Sequence, residues 1–328
     1  MTIYFAGGED HDFSPIGSVL VNTADTTARR AANARCSLIV ANAVAGTDGW
    51  QGLFSTTVVD FWFTARVLVS VVFSTQDLLV FLDGSTRRLI VRTDASGRVV
   101  IVKRDATPTS TVLATSTLML SATLHKIDVR VNYDATGSVD VYVDGLLWVS
   151  YSGDVTTNSA TDLSGFVLGS SSNNGSAVVY WSEIICADID TRHMSLVTLP
   201  PAANGNTFAW TNTYASVDEV TINDADLCAS DTANQVMQTT VTSSGITGTP
   251  AVRGVCVSAR AMKGASGPSQ IQMGVRTGGS DYFSSTLALD TSFGRVAAVW
   301  ETNPNTAVPW VYTDLTAVGF NIGAKSIT

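Results

Sequence analysis

Apolar and polar residues alternate with a period of two along this chain from end to end, and helical three–four spacing almost never persists beyond one turn. Such a pattern buries its apolar residues on one face of a pleated ribbon, so the chain is expected to fold as stacked antiparallel sheets. The stretch from Lys126 to Val149 shows it best. Ile127, Val129, Val131 and Tyr133 fall on one face while Asp128, Arg130 and Asn132 fall on the other, and Val139, Val141 and Val143 repeat the pattern after Gly137. Asp144-Gly145, set between two apolar runs, predicts a tight hairpin with positive φ at both central positions. Composition supports the same class. The chain holds 41 Thr but only 4 Glu and 4 Lys, and the latter two are the usual fillers of exposed helix surface, whereas Thr and Val suit a half-buried sheet.

Thirteen candidate strands lie before Ala187, enough for one large sandwich over residues 1–190. The apolar run 57–73 is too long for one strand and is expected to bend or turn near 64–66. After Ala187 the pattern lapses through the chain's one Pro-Pro pair and the turn formers that follow, so residues 191–206 read as a linker. Shorter candidate strands then fill residues 207–328, as expected of a smaller β-sandwich, with a short helical turn at 313–318 and a closing strand at 319–324.

A formal net charge of −9, with no basic stripe, argues against affinity for nucleic acid or anionic lipid. No apolar run approaches the length of a membrane-spanning helix, so no membrane insertion is expected. The first ten residues carry neither a basic nor an apolar leader region, which predicts maturation in a cytoplasm. Cys36, Cys186, Cys228 and Cys256 lack the close spacing of a zinc or redox motif and sit in apolar runs, as buried reduced thiols do.

Val141-Tyr-Val-Asp-Gly145, then Trp148, Tyr151-Ser-Gly153, Gly165-Phe-Val-Leu-Gly169 and Val178-Val-Tyr-Trp-Ser-Glu-Ile-Ile185 together resemble the concanavalin A-like, laminin-G type jelly roll over residues 1–190. A second resemblance covers nearly the whole chain. Tyr180-Trp-Ser-Glu-Ile-Ile-Cys-Ala-Asp-Ile-Asp-Thr-Arg192, the Pro201 to Thr211 step, Val257-Ser-Ala-Arg-Ala261, Val275-Arg-Thr-Gly-Gly279, Glu301-Thr-Asn-Pro304 and Trp310 to Leu315 are similar to phrases in virion and tail structural proteins of tailed bacteriophages. The resemblance implies a virion component that is tail-associated, as a fibre, adaptor or receptor-proximal part. It would assemble as a homo-oligomer, such as a trimer, with other virion proteins, after synthesis in the bacterial host cytoplasm. A capsid decoration protein on the head and a glycan-binding module for the host surface are the alternatives it leaves open.

The residues point away from an enzyme. A jelly-roll glycosidase needs two carboxylates close together on one strand, and Glu9, Glu183, Glu219 and Glu301 are widely separated. Glu183 with Asp188 and Asp190 is the densest acidic group, read as a solvated sheet edge. His11, His125 and His193 show no metal-binding spacing and read as structural or surface residues. Calcium is the cofactor that the jelly-roll resemblance implies, through loop Asp and Asn; Asn223, Asp226 and Asp231, or Asp188 with Asp190, are the candidates, each read first as a turn or cap residue. A sugar would stack on an aromatic near a loop, which singles out Trp50, Trp148, Tyr151, Trp210 and Trp310, each read first as a core or inter-domain packing residue. Trp62 and Trp181, inside apolar runs, are expected in the core.

Overall fold

A computed structural model of the chain describes residues 1–17, 19–22, 34–41, 49–71, 75–104, 110–157, 160–169, 178–243, 246 and 248–328. The chain divides into two compact units, Met1–Leu196 and Val197–Thr328. It is all-β: a jelly-roll sandwich followed by a smaller β-sandwich, with one five-residue helix among the described residues.

In the first unit the strands run β1 (Ile3–Gly7), β2 (Ser14–Ile16), β3 (Val19–Asn22), β4 (Ser37–Ala41), β5 (Gly49–Val58), β6 (Asp60–Val69), β7 (Gln76–Asp83), β8 (Thr86–Thr93), β9 (Arg98–Arg104), β10 (Ser110–Met119), β11 (His125–Asn132), β12 (Ser138–Val143), β13 (Leu146–Ser152), β14 (Leu163–Leu168) and β15 (Val178–Ala187). One sheet has the order β13-β12-β11-β6-β15-β4-β3, with β1 also paired to β15; the other has the order β10-β9-β8-β7-β14-β5-β2. All pairs are antiparallel. The long run does not break near 64–66. It breaks at Val59, where the chain leaves β5 of one sheet and enters β6 of the other, because Phe61, Phe63, Ala65, Val67 and Val69 must all face inward in one register.

The alternation of β11 and β12 is realised as read: Ile127, Val129, Val131, Val139, Val141 and Val143 are buried, while Lys126, Arg130 and Asp140 face away. Asp144 and Gly145 take φ of 51° and 82°, the geometry of the expected hairpin turn. The inner layer is aromatic. Phe166 of β14 meets Phe63 at 5.1 Å, Phe5 at 5.0 Å and Phe54 at 5.7 Å between ring centroids, and Phe81 meets Phe61 at 5.2 Å. Such offset and edge-on contacts add to simple area burial. Gly52 of β5 lies against the Phe166 ring, where a Cβ would collide with it. The second sheet is apolar on both faces: Val80, Leu82, Ile90, Val100, Val102 and Val167 form a separate buried cluster on its outer side.

In the second unit, β16 (Pro201–Phe208), β17 (Val236–Val241), β18 (Val255–Ala261), β19 (Gln270–Thr277), β20 (Ser280–Phe283), β21 (Leu287–Ala288), β22 (Gly294–Trp300), the helix α1 (Tyr312–Thr316) and β23 (Asn321–Ile327) follow. The larger sheet has the order β16-β17-β23-β19-β20, and β18 pairs with β22. The linker expected at 191–206 is therefore shorter. Residues from Pro201 onward form β16, an edge strand, where a proline's missing N–H costs no ladder bond. The expected strand at 218–222 is irregular chain. Val257, Ile271, Met273, Val275, Trp310, Leu315 and Phe320 make the core of this unit.

Replacing Gly52 by Ala should destabilise the chain by about 1–3 kcal/mol, since the Phe166 ring has no room to yield; urea unfolding of the full chain checks this.

Candidate functional site

The outward face of the first sheet carries a cluster of buried and half-buried charged side chains. Period two sends Trp62, Thr64 and Arg66 of β6 and Lys126, Asp128 and Arg130 of β11 to this face. A shallow pocket of about 380 Å³ opens there, lined by Arg66, Lys126, Asp144, Gly145, Arg192 and His193. Beside its Lys126 the sheet carries a buried charge. Asp128 is fully buried, accepts the Thr64 hydroxyl at 2.5 Å and lies 3.6 Å from Lys126 Nζ. Burial raises the Asp128 carboxyl above its ordinary range, and the Thr64 bond and Lys126 oppose that rise.

Glu183 reaches the same place by a different route. Strand β15 shifts register against β6 between Ser182 and Ile185, and Glu183 adopts φ of 54° inside that bulge. A bulge re-aims a side chain, and here it turns a carboxylate into the sheet, 3.5 Å from Arg66 and 6% exposed. Burial raises its pKa and Arg66 lowers it. The reading of Glu183 as a solvated edge residue is thus corrected: a left-handed, bulged backbone buries it. The acidic group read from the sequence also comes apart. Asp188 accepts the Thr2 amide at 2.7 Å, and Asp190 forms a two-pronged pair with Arg192 at 3.0 and 2.7 Å that holds its carboxyl below the usual range.

The segment 188–194 closes over this face. The Arg192 guanidinium lies over Trp62 at 5.0 Å and over Tyr142 at 4.5 Å, and these two rings are themselves 5.7 Å apart. Lys126 Nζ donates to the carbonyls of Thr191, Arg192 and Met194 at 3.3, 2.7 and 2.9 Å. An ammonium has three donors, so one lysine fastens the whole turn. Desolvation lowers the Lys126 pKa, opposed first by Asp128. Trp62, expected in the core, is half-buried instead, because period two places it opposite Phe61 and Phe63.

The aromatics proposed as sugar platforms fare differently. Trp50 is 3% exposed, and its indole N–H donates to the Ile39 carbonyl. Trp310 is 2% exposed, bonded to the Trp300 carbonyl at 2.8 Å. Both are core residues, in line with the packing reading and against a sugar platform: the first lies in strand β5, which the sequence pattern did not reveal, and the second belongs to the second unit's core. Trp148 and Tyr151 are half-buried against the first core, and Trp210 is half-buried with its indole N–H on the Gln235 carbonyl. None of them lines the pocket.

Among the described residues no group of three or more His, Cys, Asp or Glu side chains is disposed to hold a metal. In the stretch proposed for calcium, Asn223 caps its own turn, and Asp224 pairs with Arg260 at 2.8 and 2.9 Å. None of the four cysteines is in a disulfide; Cys36 and Cys186 are buried, whereas Cys228 and Cys256 are partly exposed. A second acidic knot escaped the sequence reading. Glu9, Asp10 and Asp12 are all buried on the turn after β1, with Arg35 3.2 Å from Glu9, and burial pushes the Glu9 carboxyl up to about 7.

No family model matches the chain, and no curated protein does. Among solved structures it is similar to the globular domain of T. cruzi calreticulin, at 12% identity over 58% of this chain and 89% of that one, TM-score 0.41. It is similar also to an endo-β-1,4-glucuronan lyase from the fungus Trichoderma reesei, at 11% identity over 57% and 96%, TM-score 0.43. A carbohydrate-binding module from Bacillus subtilis matches at 12% identity over 52% and 96%, TM-score 0.34.

Lys126→Met should cost about 3–5 kcal/mol in urea unfolding, because it leaves Asp128 buried without its cation and the Arg192 and Met194 carbonyls without the ammonium they bond. The Glu9 carboxyl keeps its proton in the folded state up to about pH 7, against an ordinary value of 4.5. Its stabilising contribution is therefore complete below pH 4.5 and is lost as pH rises to 7, by roughly 3 kcal/mol in total. Glu9→Gln should remove that slope, which unfolding curves at pH 5 and pH 8 would reveal.

Proposed function

We propose that this chain is a structural component of a tailed-bacteriophage virion, attached to the tail and working through assembly with its own copies and with other virion proteins. The observation that supports this reading is where the virion-like phrase from Tyr180 to Arg192 falls. Trp181 is wholly buried in the first core, Glu183 is locked to Arg66, and Asp190 and Arg192 clamp the closing turn on Trp62 and Tyr142. The residues that carry the resemblance are thus used to close a rigid sandwich, as a part that must present fixed surfaces requires. Symmetric oligomers are the usual state of such parts.

A second reading is favoured by the pocket. Arg66 and His193 stand beside Asp144 in a shallow, open site whose Lys126 and Arg192 are already held by the closing turn, and such a rim suits the hydroxyls of a surface glycan. The tail-bound copies would then meet the host through this face.

Quantitative mass spectrometry of purified particles, normalised to the major capsid protein, tests the first reading. A count from about three to a few dozen copies per particle is expected of a tail part of cyclic symmetry, and absence from particles overturns it. For the second, Arg192→Ala should weaken retention on an array of bacterial surface glycans at least tenfold, a loss of about 1.4 kcal/mol.

A further inference from the structure

At one end of the first unit the connection 120–124 between β10 and β11 meets the β12–β13 turn. His125, the first residue of β11, is 9% exposed and joins the two. Its Nδ1 lies 2.7 Å from Asp144 Oδ2, and its Nε2 lies 2.9 Å from Ser121 Oγ. The other Asp144 oxygen accepts the Lys126 backbone amide at 2.9 Å, which fixes the carboxylate. A carboxylate only accepts, so a neutral ring bonded to Asp144 carries its proton on Nδ1 and turns the Nε2 lone pair to the Ser121 hydroxyl at 2.9 Å, nearer than the Ser121 carbonyl oxygen at 3.3 Å. Thr123 Oγ1 steadies the same serine oxygen at 2.8 Å and lies 3.2 Å from Nε2.

Nucleophile, base and orienting acid thus stand in hydrogen-bonded sequence, the arrangement that activates a serine. Ser121 is exposed. The amides of Ala122 and Thr123, directly after it, donate to no protein backbone group among the described residues, which leaves donors beside the serine for a developing oxyanion. The surroundings are apolar and open. Leu118 and Met119 precede the serine and Leu146 and Leu147 follow the Asp144-Gly145 turn, all four exposed, and the Trp148 ring stands edge-on to His125 at 6.4 Å. Large exposed apolar side chains gathered at one place mark a contact surface.

We propose that Ser121, His125 and Asp144 form a hydrolytic triad for carboxylic esters with an apolar acyl group. Ser121 Oγ attacks the ester carbonyl carbon as His125 Nε2 takes the hydroxyl proton. The bond from that carbon to the alcohol oxygen breaks, and Nε2 returns the proton to the leaving alcohol. Water then attacks the acyl-serine, gives a proton to Nε2, and releases the carboxylic acid as Ser121 Oγ recovers its proton. This activity does not depend on the virion reading.

The test uses the full chain with a fluorophosphonate probe and with p-nitrophenyl butyrate. A single adduct on Ser121 is expected by peptide mass spectrometry, and Ser121→Ala and Asp144→Asn should each lower ester hydrolysis at least 100-fold. Ser121→Ala removes an exposed hydroxyl while Thr123 stays beside Nε2, so its far-ultraviolet circular dichroism should match the parent and separate lost chemistry from lost folding. An unlabelled Ser121, or a Ser121→Ala chain that hydrolyses as fast as the parent, overturns the proposal and leaves the three residues as a fastener between a loop and a turn.

Discussion

The packing of aromatic rings between two twisted sheets is the constraint on which the first unit depends. Phe166 touches Phe5, Phe13, Phe54 and Phe63, all of them more than a hundred positions away from it in sequence, so its ring cannot be seated until both sheets are in register. That requirement sets the break at Val59, the smallness of Gly52 and the inward face of β6. Once the inward face is committed, the side chains left over have only the outer surface to occupy, and Trp62, Arg66, Lys126 and Asp128 collect there by default of the two-residue period.

That surface is organised by desolvation as much as by attraction. Lys126 and Arg66 stand over carboxylates that burial disfavours as ions, and each cation offsets what burial costs its partner. Removing one member exposes the expense of the other, so the group behaves as a unit. The closing turn rests on it, because one ammonium reaches three of its carbonyls, of which Thr191 also accepts the Met194 amide. The second unit uses a different economy: fewer fully buried residues, gathered about Trp310, with the indole N–H satisfied by the Trp300 carbonyl.

Period two was legible because it is local. It placed Ile127, Val129 and Val131 on the inner face and Asp128, Arg130 and Asn132 on the other without reference to anything distant, and Asp144-Gly145 announced its own turn; that Asp128 is nonetheless buried was decided by what covers that face. Where the reading failed, the deciding contact was remote or the local rule was broken. Trp50 looked like a loop residue because the strand that holds it carries little alternation, yet β14 and β2 pair on both sides of it. Glu183 sits in a bulge that interrupts the alternation, and Pro201 opens an edge strand that its Pro-Pro signal argued against.

The amino-acid sequence by itself determined the class of this protein: an all-β chain of two sandwiches, with its meander, its hairpin turn and the inward and outward faces of β11 and β12. These follow from backbone pleat and turn chemistry, which act over a few residues. Only the tertiary structure decided that Arg192 would cover Trp62 and Tyr142, that Glu183 would face Arg66, and that Ser121, His125 and Asp144 would meet. Those contacts join residues separated by up to 130 positions, and their geometry depends on how the sheets pair and where one strand bulges, which no local pattern encodes.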